Sequence, residues 1–155
     1  MHTQNEIFIH ADPATIYQFA AQVEFWPDIL PHYRWVKVIS SHGQYQLVEM
    51  AARRDFIPVK WTAEMGLYPD EPRITFRHVR GVTTGMEVEW RFTPMADGTK
   101  VEILHELELG WPVIGGFAAN RVIGPLFIAN IAGKTLKRIK QLSESKAPVV
   151  TGATM

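Results

Sequence analysis

Four side chains carry the chemistry this chain could do: Tyr33, His78, Arg80 and His105. Ile74, Phe76, His78 and Arg80 alternate along one strand-like run, so they share a face. Val101, Ile103, His105, Leu107 and Leu109 do the same further on. A polar side chain on an inward apolar stripe is costly to bury unless it is bonded. Each of these groups is therefore either paired within the fold or aimed at a ligand. If they act on a substrate, the chemistry is general acid–base catalysis. Tyr33 could donate a proton, His78 could assist, and Arg80 could steady an enolate.

Other chemistries lack their residues. The chain has no cysteine, which removes thiol catalysis, disulfide scaffolds and the commonest zinc ligand. It has no Gly-x-Ser-x-Gly elbow, no Gly-x-Gly-x-x-Gly fingerprint and no phosphate loop. Counting back from the turns sets His78 near Met86 and His105 near Trp90. Those positions are roughly 13 Å apart at 3.3 Å per residue, too far to share an ion whose ligands must converge at about 2 Å. His10, His32 and His42 have no ligand spacing either. No metal and no cofactor are expected.

The elements that position these groups are mostly strands. Glu6 to His10 reads as a first short strand. Asp12-Pro13 then opens a helix, with Asp12 a good N-cap and Pro13 at the first helical position. Glu24 to Leu30 reads as a second short helix ended by Pro31. Six more strands follow: Tyr33 to Ser40, Tyr45 to Arg54, Val59 to Tyr68, Arg73 to Arg80, Met86 to Thr93 and Val101 to Leu109. Turn residues separate them, and the Asp97-Gly98 pair is a strong hairpin signal. Gly81-Val82-Thr83-Thr84-Gly85 reads as a mobile hairpin loop. Short strands in this order predict an antiparallel meander. Alternation gathers Trp61, Met65, Phe76, Met86, Trp90 and Phe92 on one concave surface.

A long helix closes the chain. Ile128, Ile131, Thr135, Ile139 and Leu142 recur at helical spacing, with Lys134, Lys137, Arg138 and Lys140 on the other faces. Trp111 to Ile123 is apolar all round, carries glycines, and is cut off at Gly124-Pro125, where the helix kinks or restarts. That segment is either a movable lid or a packed core helix. One helix covering so many strands leaves room for a ligand, for which Phe117 and Phe127 would add contacts.

Composition narrows the partners. Lys plus Arg and Asp plus Glu are both 16, a net charge of zero, which argues against nucleic acid. With 155 residues and 46 % hydrophobic content, one domain with a real core is expected, over residues 1–144, with a disordered tail at 145–155. The polar N-terminus has no signal-peptide pattern, and the most apolar window is broken by Gly, Pro, Asn120 and Arg121. A cytoplasmic setting is the plain inference.

The run Ile7 to Tyr17, the run Asp28-Ile29-Leu30-Pro31-His32-Tyr33, Trp90-Arg91-Phe92 ahead of Asp97-Gly98-Thr99, and Thr135 to Lys140 together resemble the START-like, helix-grip superfamily. The branch they resemble is the polyketide cyclase/dehydrase and coenzyme Q-binding group. The resemblance spans roughly Asn5 to Glu144. It implies an α+β fold in which a seven-stranded antiparallel sheet wraps round the long C-terminal helix, with two short helices after the first strand. A deep apolar cavity should lie between sheet and helix. Members include aromatase/cyclases and carriers of lipids or quinones. Tyr33 falls where the aromatase/cyclases carry a cavity tyrosine. The arginine those enzymes carry on the middle strands falls at Met65 here, which leaves Arg80 as the available substitute.

Three readings follow. The first is a carrier or binding protein for a hydrophobic small molecule: a lipid, a quinone or a polyketide-like compound. Its site would comprise Tyr33, Trp61, Met65, Phe76, His78, Met86, Trp90, His105, Phe117 and Phe127. The second is a polyketide aromatase/cyclase using Tyr33, Arg80 and His78. The third is an interaction module making transient contact with a membrane or a membrane enzyme through Trp111 to Phe127.

Overall fold

The computed structural model describes residues 2–54, 56–81, 83–106 and 125–154, and the side chains of all of these except 54, 57, 125–127 and 146–154. Strand β1 is His2–Ile9. Helix α1 is Pro13–Ala21. A 3-10 turn at Val23–Phe25 leads into α2, Trp26–Ile29. Six strands follow: β2 Tyr33–His42, β3 Tyr45–Arg54, β4 Ile57–Tyr68, β5 Arg73–Gly81, β6 Glu87–Met95 and β7 Gly98–Glu106. The last element is helix α3, Pro125–Thr154.

The seven strands form one antiparallel sheet in the order β1-β7-β6-β5-β4-β3-β2. Strands β2 to β7 are the expected meander, and β1 closes it by pairing with β7 from His2↔Glu106 to Ile9↔Thr99. This is the α+β helix-grip arrangement that the sequence implies. β1 begins four residues before the expected Glu6. Its burial alternates between exposed and half-buried, as on a sheet edge, so its first residues are polar and carry no apolar signal.

Helix α3 is described from Pro125 onward, and the kink or restart expected at Gly124-Pro125 adjoins residues outside the description. The expected lid or core segment, Trp111 to Ile123, lies outside the described residues. Helical backbone continues to Thr154, through the stretch that reads as a tail in the sequence.

One face of α3 is held in the concavity. Ile128, Ala132, Thr135, Leu136, Ile139 and Ser143 are buried, which follows the helical spacing seen in the sequence. Polar ties fix its position along β1 and α2. Asn5 Nδ2 donates to the Ala129 carbonyl (3.3 Å), and Lys140 Nζ donates to the Phe8 carbonyl (2.7 Å) and to Glu144 (2.7 Å). Glu144 in turn accepts from the His10 amide (2.9 Å), and Arg138 Nε donates to the Ile29 carbonyl (2.9 Å). These bonds set how far α3 reaches along the sheet, and hence which of its residues face the strands.

Two departures from simple alternation matter for the site. Between β4 and β5, Ala63 pairs with His78 but Thr62 pairs with Arg80. Val79 is the extra residue of this bulge. His78 therefore stays on the inner face, while Arg80 emerges on the opposite one and is exposed. At the end of β5 the chain comes close to β4. Gly81 has φ +102°, and a Cβ there would stand 2.7 Å from the Lys60 carbonyl oxygen, so only glycine fits without strain. The second departure is in the β6–β7 hairpin, whose two-residue turn lies between Met95 and Gly98. His105 thus stands opposite Val88 rather than Trp90.

Candidate functional site

A cavity of about 80 Å³ lies between the sheet, α2 and the first turns of α3. Its walls include seven of the ten side chains expected at a ligand site: Tyr33, Trp61, Phe76, His78, Met86, Trp90 and His105. Met65 is fully buried on the same strand face but packs in the core beyond the cavity wall. It lies four residues past Trp61, toward the β4–β5 turn. Arg80, proposed on sequence grounds as a cationic catalytic group, is not in the cavity, because the bulge at Val79 turns it outward. Phe117 and the side chain of Phe127 lie outside the described residues.

Several wall residues carried no clear signal in the sequence. Trp26 is 2 % exposed, and its indole N–H donates to the Phe19 carbonyl (3.0 Å). Its ring meets those of Tyr33 (4.9 Å between centroids), Trp90 (5.9 Å) and Phe76 (6.3 Å). A four-residue helix has too few turns for periodicity to reveal its inner face. Met50 of β3 is another such wall residue, whereas Val59 of β4 and Ile128, Ile131, Ala132 and Thr135 of α3 complete the wall on stripes that alternation and helical spacing do mark. Thr83, in the glycine-flanked stretch expected to be a mobile loop, is instead buried against the cavity.

The polar groups cluster. His78 Nδ1 shares a 2.6 Å hydrogen bond with Thr83 Oγ1, and the imidazole stacks on the Trp61 ring at 5.5 Å with 9° between planes. These two contacts fix the ring from its edge and its face. Burial, with a smaller contribution from nearby His105, lowers the His78 pKa to about 3. Burial alone lowers that of His105 to about 4. Among the described residues, the buried His105 Nδ1 has no hydrogen-bond partner. Tyr33 is 8 % exposed, and burial pushes its phenol well above the ordinary range, with no hydrogen bond contributing. At neutral pH all three are uncharged. The two histidines are closer than hairpin counting suggests, since His78 faces Met86 and His105 faces Val88 on the same strand. Distance therefore does not separate them. Among the described residues no cluster of three or more His, Cys, Asp or Glu forms that could hold a metal ion.

The described cavity wall contains no Asp, Glu, Lys or Arg. It offers aromatic and Met surface, one phenol, two neutral imidazoles and two threonine hydroxyls. Such a wall accepts apolar surface together with a few neutral donors and acceptors, and it penalises a charge. The volume is below the roughly 300 Å³ at which ligand pockets usually begin. An occupant larger than about one ring extends past the described wall or displaces side chains in it. Met50 and Met86 are the adaptable ones.

A seven-stranded sheet gripping a C-terminal helix over an apolar cavity defines a START-like, helix-grip protein. Residues 9–126 match the model of the family described as polyketide cyclase / dehydrase and lipid transport, and the chain belongs to that family. Over 93 residues it is 29 % identical to the actinorhodin polyketide synthase bifunctional cyclase/dehydratase of Streptomyces coelicolor. That match covers 59 % of this chain but 29 % of the relative, so the chain spans under a third of that protein's length. The fold is similar to the Zhui aromatase/cyclase from Streptomyces sp. R1128, with TM-score 0.81, 18 % identity and 93 % of each chain covered. It is also similar to a START superfamily protein from Mycobacterium smegmatis, with TM-score 0.66, 17 % identity, and 96 % of this chain and 98 % of that one covered. Among the described residues, no helix is long and apolar enough to cross a membrane.

Proposed function

We propose that the protein binds a neutral hydrophobic small molecule in the cavity between sheet and α3, as a carrier or binding protein in a cytoplasmic setting. A lipid, a quinone such as coenzyme Q, or a polyketide-like compound has the required character. The observation that carries this is a described wall lined by Trp26, Trp61, Phe76 and Trp90 with no charged side chain. An apolar body fills the aromatic surface, and a carbonyl or hydroxyl meets the His78–Thr83–His105 end. Native mass spectrometry of gently purified protein, followed by extraction and identification of what is bound, tests the reading. A stoichiometric neutral lipid, quinone or aromatic ketone supports it. An empty protein that gains no thermal stability from any such compound removes it.

A second reading, polyketide aromatase/cyclase, is favoured by one observation: Tyr33 lines the cavity, and among the described residues its hydroxyl has no hydrogen-bond partner. Its raised pKa keeps it protonated, as a proton donor must be, and neutral His78, held by Thr83, is the partner able to accept one. Arg80 takes no part, because it lies on the outer face. Under this reading Tyr33→Phe sharply reduces regiospecific cyclisation of a poly-β-ketone. An unchanged product pattern would remove the reading and leave the carrier proposal standing.

A further inference from the structure

A second hollow lies outside the cavity, beside the chain's entry into β2. It is about 360 Å³, and its walls are Pro31, His32, Arg53 and Lys134. We infer that this hollow is an anion-binding site that takes a phosphate group. Its residues come from three parts of the chain and are brought together by specific bonds. The Arg53 amide donates to the His32 carbonyl (2.9 Å), which draws the end of β3 to the segment before β2. His32 Nε2 meets Thr135 Oγ1 at 2.8 Å, and this places Lys134, the preceding residue of α3, at the same rim.

Among the described residues nothing neutralises the site's charge. Arg53 and Lys134 are both exposed, and among the described residues neither has a carboxylate within ion-pair distance. No acidic side chain forms part of the described wall. On a chain of zero net charge, two cations and an imidazole converging on one recess form a local basic pole. Arg53 supplies a planar fork suited to a phosphate, and Lys134 supplies a point charge.

His32 adds a third donor when an anion arrives. The Thr135 hydroxyl donates to the Ile131 carbonyl (2.8 Å), so its oxygen accepts from His32 Nε2–H. Nδ1 then carries the lone pair, with no hydrogen bond among the described residues. Burial first and the Lys134 charge second lower the His32 pKa to about 4. A bound phosphate offsets the Lys134 charge and favours a proton on Nδ1. The ring contacts Thr135 from α3 and the uncharged Tyr33, whose ring centroid is 4.9 Å away, and it shares the hollow with Lys134 from α3 and Arg53 from β3. Phosphate binding is therefore coupled to proton uptake at His32. The inference does not depend on what occupies the cavity.

The test is NMR of the His32 ring during titration with inorganic phosphate, with co-sedimentation on phosphatidylcholine vesicles with and without phosphatidic acid as a second arm. A saturable shift is expected, with the His32 titration midpoint moving to higher pH. Arg53→Gln and Lys134→Gln should each weaken binding about tenfold. Arg77→Gln, on the exposed outer face, should leave it unchanged. Co-sedimentation that requires phosphatidic acid and is lost in both variants assigns the phosphate to a lipid headgroup. Saturable phosphate binding without co-sedimentation assigns it to a soluble phosphate compound. The inference is overturned by a response that does not saturate, or by one that both folded variants retain.

Discussion

The three buried histidines make stability fall steeply in mild acid. In the native fold His78 titrates at about 3, and His32 and His105 at about 4, because burial disfavours their charged forms. In the unfolded chain each titrates near its ordinary value of about 6.5. Above that pH neither state holds the proton, and the histidines do not bias folding. As pH falls below it, the unfolded chain takes up protons that the native state refuses, so stability is lost until the native values are reached near pH 3 to 4. Between pH 6 and pH 5 each histidine favours unfolding by about 1.2 kcal/mol, or roughly 3.5 kcal/mol for the three. Against a total stability of about 5–15 kcal/mol, that is a large fraction. Urea unfolding across this range, at fixed ionic strength and without phosphate, measures it. His78→Phe keeps a flat ring against Trp61 and should reduce the pH dependence by about a third. Stability unchanged between pH 6 and pH 5 would refute the reasoning, as would native imidazole resonances that titrate near pH 6.5.

Three further substitutions separate the parts of the account. Trp61→Ala removes both the ring stacked on His78 and a cavity wall; a loss of about 3–5 kcal/mol by urea unfolding is expected. Arg80→Gln changes an exposed side chain on the outer face, so affinity for any cavity probe should stay within about twofold, well under 1 kcal/mol. Gly98→Ala would drive a Cβ into the Ile9 carbonyl oxygen where β7 runs against β1. At least about 2 kcal/mol of stability should be lost, with earlier exchange of the β1 amides.

The sequence made the framework legible because its signals are local. Asp97-Gly98 marked the β6–β7 hairpin, alternation marked the inner faces of β4, β6 and β7, and helical spacing marked the buried face of α3. What it did not disclose depends on register and tertiary contact. No residue type near Val79 announces a bulge, yet that one inserted residue removes Arg80 from the site. The tight turn after Met95 shifts His105 by two positions, which brings it toward His78 instead of away from it. Thr83 looks like an ordinary loop residue until His78 is seen to bond it. The recess at His32 joins segments about a hundred residues apart, a spacing that no motif spans.

The central claim is that the cavity selects a neutral apolar molecule over a charged one. Trp26, Trp61 and Trp90 line it, so their fluorescence reports occupancy. The most direct measurement compares acetophenone with benzoate, near-isosteric single-ring probes that differ in charge, by fluorescence titration at neutral pH. The account predicts saturable quenching by acetophenone and binding of benzoate at least about tenfold weaker, since no described wall residue compensates a buried carboxylate. Benzoate binding as tightly as acetophenone, with both responses saturable, would contradict it.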